Sequence, residues 1–381
     1  MGPSSDDAYT GDVSIPSTFT TDGDTYTVVG VGDTAFKDCA EITSVTLPAT
    51  ITYIGDYAFT NCLNLTSIDY PSTLTSIGAY AFAATGLMEL EIPSSVTSVG
   101  KGAFMNCTSL TSAQTDCSIG EISDYLLYYC TELDDVTIGL SVATIGSFSF
   151  ADCTNLATID LTTDNITSIE KMAFADCRNF ATINLGNGIE SIGTAAFRGC
   201  DGATSIYIGS ATKTIGTSAF SGCYAAESLS IGCSVDTICP LAFYDVTELE
   251  SVTCHATTPP VFIDDEDENG LFDEVVYSSA TLYVPEGTET SYEETEPWSN
   301  FSDIEGSSSV GIAEILSSID ETKIIARNGG ITILGADDVD VAIYNLAGQK
   351  ITSGKTGSTI MLPVSGTYVV SVGGTTYKVI L

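Results

Sequence analysis

The sequence has one histidine and one tryptophan in 381 residues, and 11 lysines plus arginines against 50 aspartates plus glutamates. A net charge of −39 excludes sequence-independent binding to nucleic acid or anionic lipid, since both need a basic surface. No apolar run approaches the roughly 18 residues of a membrane-spanning helix, so no transmembrane segment is expected. The only imidazole, His255, directly follows Cys254. Neighbours on a strand point to opposite faces, so these two cannot form a thiol–imidazole dyad, and no second histidine exists for a Ser-His-Asp triad. No acid–base pair stands out from the solvated acids. The chain reads as a non-enzyme.

Hydrophobic residues make up 44% of the chain, which excludes a fully disordered polymer despite its charge. The length exceeds the ~250–300 residues one core absorbs, so two domains or a stack of repeats is expected. Charge is unevenly placed. The first 306 residues hold 44 acids and six bases, a net of 38 negative charges, while the remainder holds six acids and five bases. The break falls at Gly306-Ser307-Ser308-Ser309, whose small polar residues read as a linker.

The long acidic part repeats. Phenylalanine recurs at 36, 59, 82, 104, 150, 174, 197, 220 and 243, Leu127 fills the gap, and every interval is 22 to 24 residues. Each Phe closes a phrase such as Ile54-Gly55-Asp56-Tyr57-Ala58-Phe59, and an alternating phrase such as Leu65-Thr66-Ser67-Ile68-Asp69-Tyr70-Pro71 follows. In Thr43-Ser44-Val45-Thr46-Leu47, Val45 and Leu47 point one way and Ser44 and Thr46 the other, the mark of a half-buried strand. Pro48, Pro71 and Pro93 end that strand, because proline cannot donate to a ladder. The Ala-Phe phrase is too short for a long helix and is expected to form one or two helical turns. The glycine after Ile, as at Gly55, Gly78 and Gly100, suggests a turn with positive φ, although Ser123, Glu170 and Cys239 hold the same phase. One such unit cannot bury its apolar edge, whereas stacked units share a continuous core with a Phe column inside.

The phrase Ile-Gly-x-x-Ala-Phe-x-x-Cys-x-x-Leu-Thr-Ser-Ile resembles the BspA-type leucine-rich repeat of bacterial and some protozoan surface proteins. Tyr9-Thr10-Gly11-Asp12-Val13-Ser14-Ile15-Pro16 resembles that family's opening cap. Thr281-Leu282-Tyr283-Val284-Pro285-Glu286-Gly287, with Trp298-Ser299-Asn300-Phe301, resembles its closing cap. The resemblance covers about residues 8–305 and implies a curved, non-catalytic solenoid used for adhesion or surface recognition.

Twelve cysteines could suggest six disulfides, but their phase argues otherwise. Cys39, Cys62, Cys107, Cys130, Cys153, Cys177, Cys200 and Cys223 each lie three residues after the column residue, where Thr85 and Val246 stand in the other units. A position that accepts any small side chain treats cysteine as a small buried hydrophobe, so free thiols are expected. Cys117 and Cys233 share another phase, too many rungs apart to pair. Nothing has zinc-ligand spacing.

Three surface features carry the binding candidates. The outward strand positions are small, polar and acidic: Asp69, Glu89, Glu91, Asp135 and Asp160 stand there, with Tyr207 the only aromatic. Lacking Trp and Arg anchors, such a face suits charge-steered contact with a basic extracellular or host surface protein better than a tight apolar interface. A second column, Tyr57, Tyr80, Tyr125, Phe148 and Met172, is expected either to pack half-buried between rungs or to form an exposed anchoring stripe. The run from Asp264 to Gly270 places Asp265, Asp267, Asn269 and Asp273 at calcium-loop positions 1, 3, 5 and 9, but Val276 stands where the bidentate Glu should be. Calcium is the one cofactor considered.

Residues 323–381 alternate in runs such as Val339–Leu346 and Gly366–Val372, separated by turn residues, which predicts a small antiparallel β-sandwich. Asn345-Leu346-Ala347-Gly348-Gln349, Gly366-Thr367-Tyr368-Val369-Val370 and Lys378-Val379-Ile380-Leu381 resemble the type IX secretion C-terminal sorting domain. That resemblance implies an exported or surface protein of the Bacteroidetes. Met1-Gly2-Pro3-Ser4-Ser5 shows neither part of a signal peptide and reads as a mature or engineered start. The expectation is a mostly β, leucine-rich-repeat-like solenoid over 8–305, a linker over 306–322 and a β-sandwich over 323–381. It would act as a secreted or surface monomer for adhesion or protein recognition, or alternatively as a glycan-binding surface protein of a gut bacterium.

Overall fold

The computed structural model describes residues 9–115, 118–263 and 270–307, together with strands between residues 323 and 380. The chain divides into two compact units, 1–310 and 311–381.

The first unit is a parallel β-solenoid with a repeat of about 23 residues. Each alternating phrase forms a short strand, and successive rungs pair in register, as Ser44, Val45 and Thr46 do with Ser67, Ile68 and Asp69. A second strand in each rung comes from the residues before the glycine, such as Tyr53–Ile54 and Ser76–Ile77, and builds a second parallel sheet in two parts, of four and of seven strands. Both sheets bury their aliphatic residues against the column. Ring centroids there are 5.0 Å apart from Phe36 to Phe59 and 5.1 Å from Phe174 to Phe197, with planes nearly parallel. The column continues past the expected repeats to Phe272, 5.4 Å from Phe243. A longer interval containing Pro259-Pro260 takes Phe272 out of the period, which hides it from a phase search.

The expected helical turns at the Ala-Phe phrase do not form. The residues two before and two after each column residue are left-handed, as at Tyr57 (φ +56°) and Asn61 (φ +61°) around Phe59. Left-handed residues cannot continue a right-handed helix. The backbone N–H groups instead alternate. Those of Tyr57, Phe59 and Asn61 donate to the Ala79, Ala81 and Ala83 carbonyls of the next rung at 2.9, 2.7 and 2.9 Å. Those of Thr60 and Cys62 turn back to Tyr57 and Phe59. The turn is therefore a third inter-rung ladder. Its sequence signal was the Asp, Asn or Gly two residues after most column positions, the types that most tolerate positive φ.

The glycine expectation is also corrected. Gly55, Gly78, Gly100, Gly146, Gly193 and Gly216 are not left-handed. A Cβ on Gly78 would instead lie 2.6 Å from the main chain of Asp56 and Gly55 in the preceding rung. Close approach of two backbones, and not turn handedness, favours glycine here.

At the start, Gly11–Ser14 pairs with Ile42–Thr46 and forms an edge strand. At the end, Thr281–Pro285 and Asp303–Ser307 extend the first sheet. Buried Trp298 donates from Nε1 to the Pro260 carbonyl at 3.0 Å, and its ring meets Tyr292 edge-on. Among the described residues of this unit the α-helices are short, Glu274–Ser279 and Glu289–Glu293. In the second unit, Lys323–Arg327, Gly330–Leu334 and Thr359–Met361 form one antiparallel sheet. Asp340–Asn345, Lys350–Lys355, Thr367–Val372 and Thr375–Ile380 form another.

Candidate functional site

Along the strand face, Asp69, Glu89, Glu91 and Asp135 are exposed on strands, as their alternation requires. Tyr207 is half-buried, and burial pushes its hydroxyl pKa up. Asp160 is exposed but not on a strand; its Oδ1 accepts from the backbone N–H and hydroxyl of Thr162 at 3.0 and 2.6 Å.

The face is not one continuous sheet. Ser67–Asp69 pairs with the strand before it and Glu89–Glu91 with the strand after it, but not with each other. Their Cα separations mostly exceed 8 Å, against ~4.8 Å between paired strands. The cavity between them, about 690 Å³, is lined by Ser67, Asp69, Tyr70, Met88, Glu89 and Glu91 among others. Three of the expected binding acids thus meet at one place, while Asp135, Asp160 and Tyr207 do not line it. Sequence reasoning missed Tyr70 and Met88. Met88 is 55% exposed. Tyr70 takes the inward place of an aliphatic residue, with its ring edge-on to Phe82 and its buried hydroxyl without a hydrogen-bond partner. Burial, and then the nearby Cys107, push that hydroxyl's pKa well up.

The second column is half-buried except at its first residue, Tyr57, which is 39% exposed, and it stacks in two pairs. Tyr57 and Tyr80 lie 5.1 Å apart, and Tyr125 and Phe148 4.8 Å apart. Lys37 Nζ sits 5.6 Å from the Tyr57 centroid and Lys101 Nζ 4.6 Å from that of Tyr125, both within cation–π range. The free face of Tyr80 covers Gly102, where a Cβ would come within 2.8 Å of Cδ1. Tyr57, Tyr80 and Tyr125 therefore offer a ligand their edges, not open π-faces.

The cysteines are free among the described residues. All eight of the expected phase are buried. Cys254 is buried too and accepts a hydrogen bond from the Tyr292 hydroxyl at 3.3 Å. His255 points to the other face, with Nε2 3.0 Å from Ser230 Oγ, so the two do not form a dyad. Of the calcium candidates, Asp265, Asp267 and Asn269 lie outside the described residues. The Oδ2 of Asp273 accepts from the Asp245 backbone N–H at 2.6 Å. Among the described residues, no group of three or more His, Cys, Asp or Glu could hold a metal, and no helix is long and apolar enough to cross a membrane.

The sequence pattern of the BspA type leucine rich repeat region matches in six copies over residues 29–157 and 143–259. No curated protein matched the chain. Among solved structures, a leucine-rich repeat protein from Bacteroides ovatus is similar at 21% identity, covering 78% of this chain and 92% of its own, with a TM-score of 0.43. A leucine rich cell surface protein from Faecalibacterium prausnitzii is similar at 24% identity, covering 79% and 89%, with a TM-score of 0.39. A leucine-rich repeat protein from Eubacterium ventriosum is similar at 22% identity, covering 64% and 73%, with a TM-score of 0.42.

Proposed function

The chain belongs to the BspA-type leucine-rich repeat family, and on that premise we propose that it is a secreted or cell-surface adhesion protein that recognises its ligand on the strand face. The observation that carries this reading is the open cavity where Asp69, Glu89 and Glu91 converge. No base lines it. The net of 38 negative charges over the first 306 residues raises the local concentration of a basic partner and speeds its encounter. Few desolvated anchors then hold the complex, and many copies on a surface would supply avidity. The C-terminal unit, whose sequence resembles a sorting domain, would deliver the solenoid to that surface.

A glycan-binding surface protein of a gut bacterium is the second reading, and the cavity lining favours it. Carboxylates beside Thr66, Ser67 and Ser72 can bond sugar hydroxyls, while exposed Met88 offers an apolar contact to a pyranose ring. Met88, 55% exposed, sets that apolar contact beside the acids.

The test sets the full chain against a glycan array and surface proteins, beside the variant Asp69→Ser, Glu89→Ser, Glu91→Ser. Binding lost in the variant, with melting unchanged, supports the strand face. A basic protein ligand should weaken strongly as salt rises from about 0.15 to about 1 M, and a neutral glycan should not. Ligands that bind both proteins equally would refute the reading.

A further inference from the structure

Several irregularities of the repeat coincide at the cavity. Every column residue from Phe59 to Phe174 stands nine positions before the central strand residue of its rung, as Phe59 does before Ile68, except Phe82, which stands eight before Leu90. The missing residue falls at Thr85-Gly86-Leu87, where other rungs have four residues, as in Cys62-Leu63-Asn64-Leu65. The shortened loop holds Glu89–Glu91 away from Ser67–Asp69. These two rungs stay closed on either side of the strand, with Phe59 5.2 Å from Phe82 in the column and Ser76 paired to Ser98 in the second sheet. The opening is therefore a wedge confined to the strand face. An ordinary ladder here would also set Asp69 opposite Glu91, and like charges directly opposite repel.

A wedge between two parallel strands leaves two facing edges unpaired. Half of each strand's main-chain N–H and C=O groups point toward such an edge. A strand placed between them needs about 9.6 Å between its neighbours, twice the usual spacing. Ile68, whose counterparts Val45 and Leu90 are buried, is left half-buried beside the opening.

We infer that the wedge is a strand-addition site for an extended peptide whose residues alternate basic and apolar. This rests on the strand-face reading and names its ligand class. The peptide's main chain bonds both open edges. Its outward side chains, every second residue, lie between Asp69 on one side and Glu89 and Glu91 on the other and are lysine or arginine. Its inward side chains cover half-buried Ile68, which lines the opening, and are apolar. Open edges alone would accept any strand, and the acids alone any cation; only this peptide uses both.

The probe is a capped hexapeptide of alternating lysine and valine, with binding to the full chain read by fluorescence anisotropy. N-methylating its amides removes donors and keeps the charge, and affinity should fall at least tenfold. Inserting one asparagine between Gly86 and Leu87 restores the ordinary loop and should close the wedge, with a similar loss at unchanged melting. The N-methyl comparison uses the native chain and holds whether or not the insertion variant folds. Failure of the hexapeptide to bind, equal affinity for its N-methylated form, or full binding to a folded insertion variant would overturn the inference. A neutral glycan bound by the native chain and lost from the triple serine variant would also overturn it, while leaving the strand-face reading intact. Strand-face substitutions without effect on any ligand would instead defeat that reading itself.

Discussion

The thiol of Cys177 donates to the main-chain carbonyl of Phe150, one rung earlier, at 3.1 Å. The same bond recurs from Cys62 to Phe36 at 3.1 Å, from Cys130 to Phe104 at 3.3 Å and from Cys200 to Phe174 at 3.2 Å. Cysteine at this phase is thus a small apolar side chain that also carries a weak donor. Thr85 fits the same place because its hydroxyl also donates to a column carbonyl, that of Phe82, at 3.0 Å.

Thiol labelling of the folded protein should modify few of the twelve cysteines, and denaturant should release most of them. Intact mass before reduction should show no loss of hydrogens to disulfides. Six bridges would contradict the buried free thiols.

Alkali should unfold the solenoid. Burial pushes the thiols of Cys153 and Cys223 up from 9.0 to about 12. A group whose folded pKa is raised stabilises the fold fully below its unfolded value and loses that contribution as pH rises toward the folded one. Each such thiol should cost about 1 kcal/mol between pH 9 and 10. Denaturant midpoints should fall across that range, and Cys153→Ala with Cys223→Ala should flatten the fall.

Acid should act through His255, whose pKa burial lowers from 6.5. A base with a lowered folded pKa binds its proton more tightly when unfolded, so its contribution is complete above 6.5 and is lost as pH drops through that value toward the folded pKa. His255→Gln should remove this component from the melting-temperature profile between about pH 7 and pH 5. An unchanged profile would place the acid sensitivity elsewhere.

Gly78→Ala should destabilise the solenoid by about 1–3 kcal/mol, because the methyl group would overlap the preceding rung's main chain and force the rungs apart. Chemical denaturation measures this directly. A neutral result would mean that adjacent rungs can part at this corner without loss.

Phe174→Ala should cost about 3–5 kcal/mol, since the fully buried ring stacks on both Phe150 and Phe197. Hydrogen exchange should quicken most in the rungs beside it, because each repeat contacts only its neighbours.

The sequence by itself determined the solenoid, its phase and its polar outward face. Those are properties of one rung: alternation of two residues, a recurring Phe and a small residue three places later. It also carried the outward placement of Asp69, Glu89 and Glu91. Only the tertiary structure decided what depends on the fit between rungs. The left-handed pair around each Phe arises because alternate N–H groups find partners a whole rung away. Gly78 is set by the backbone beneath it, and the rings of Tyr57 and Tyr80 are closed by each other and by Lys37 and Gly102. The wedge follows from a single missing residue near Gly86, visible in the sequence as an interval of 22. Whether that deletion shifts a loop, a strand or the column is settled by packing: the buried Phe stack and the second sheet hold their spacing, so the exposed strand face opens.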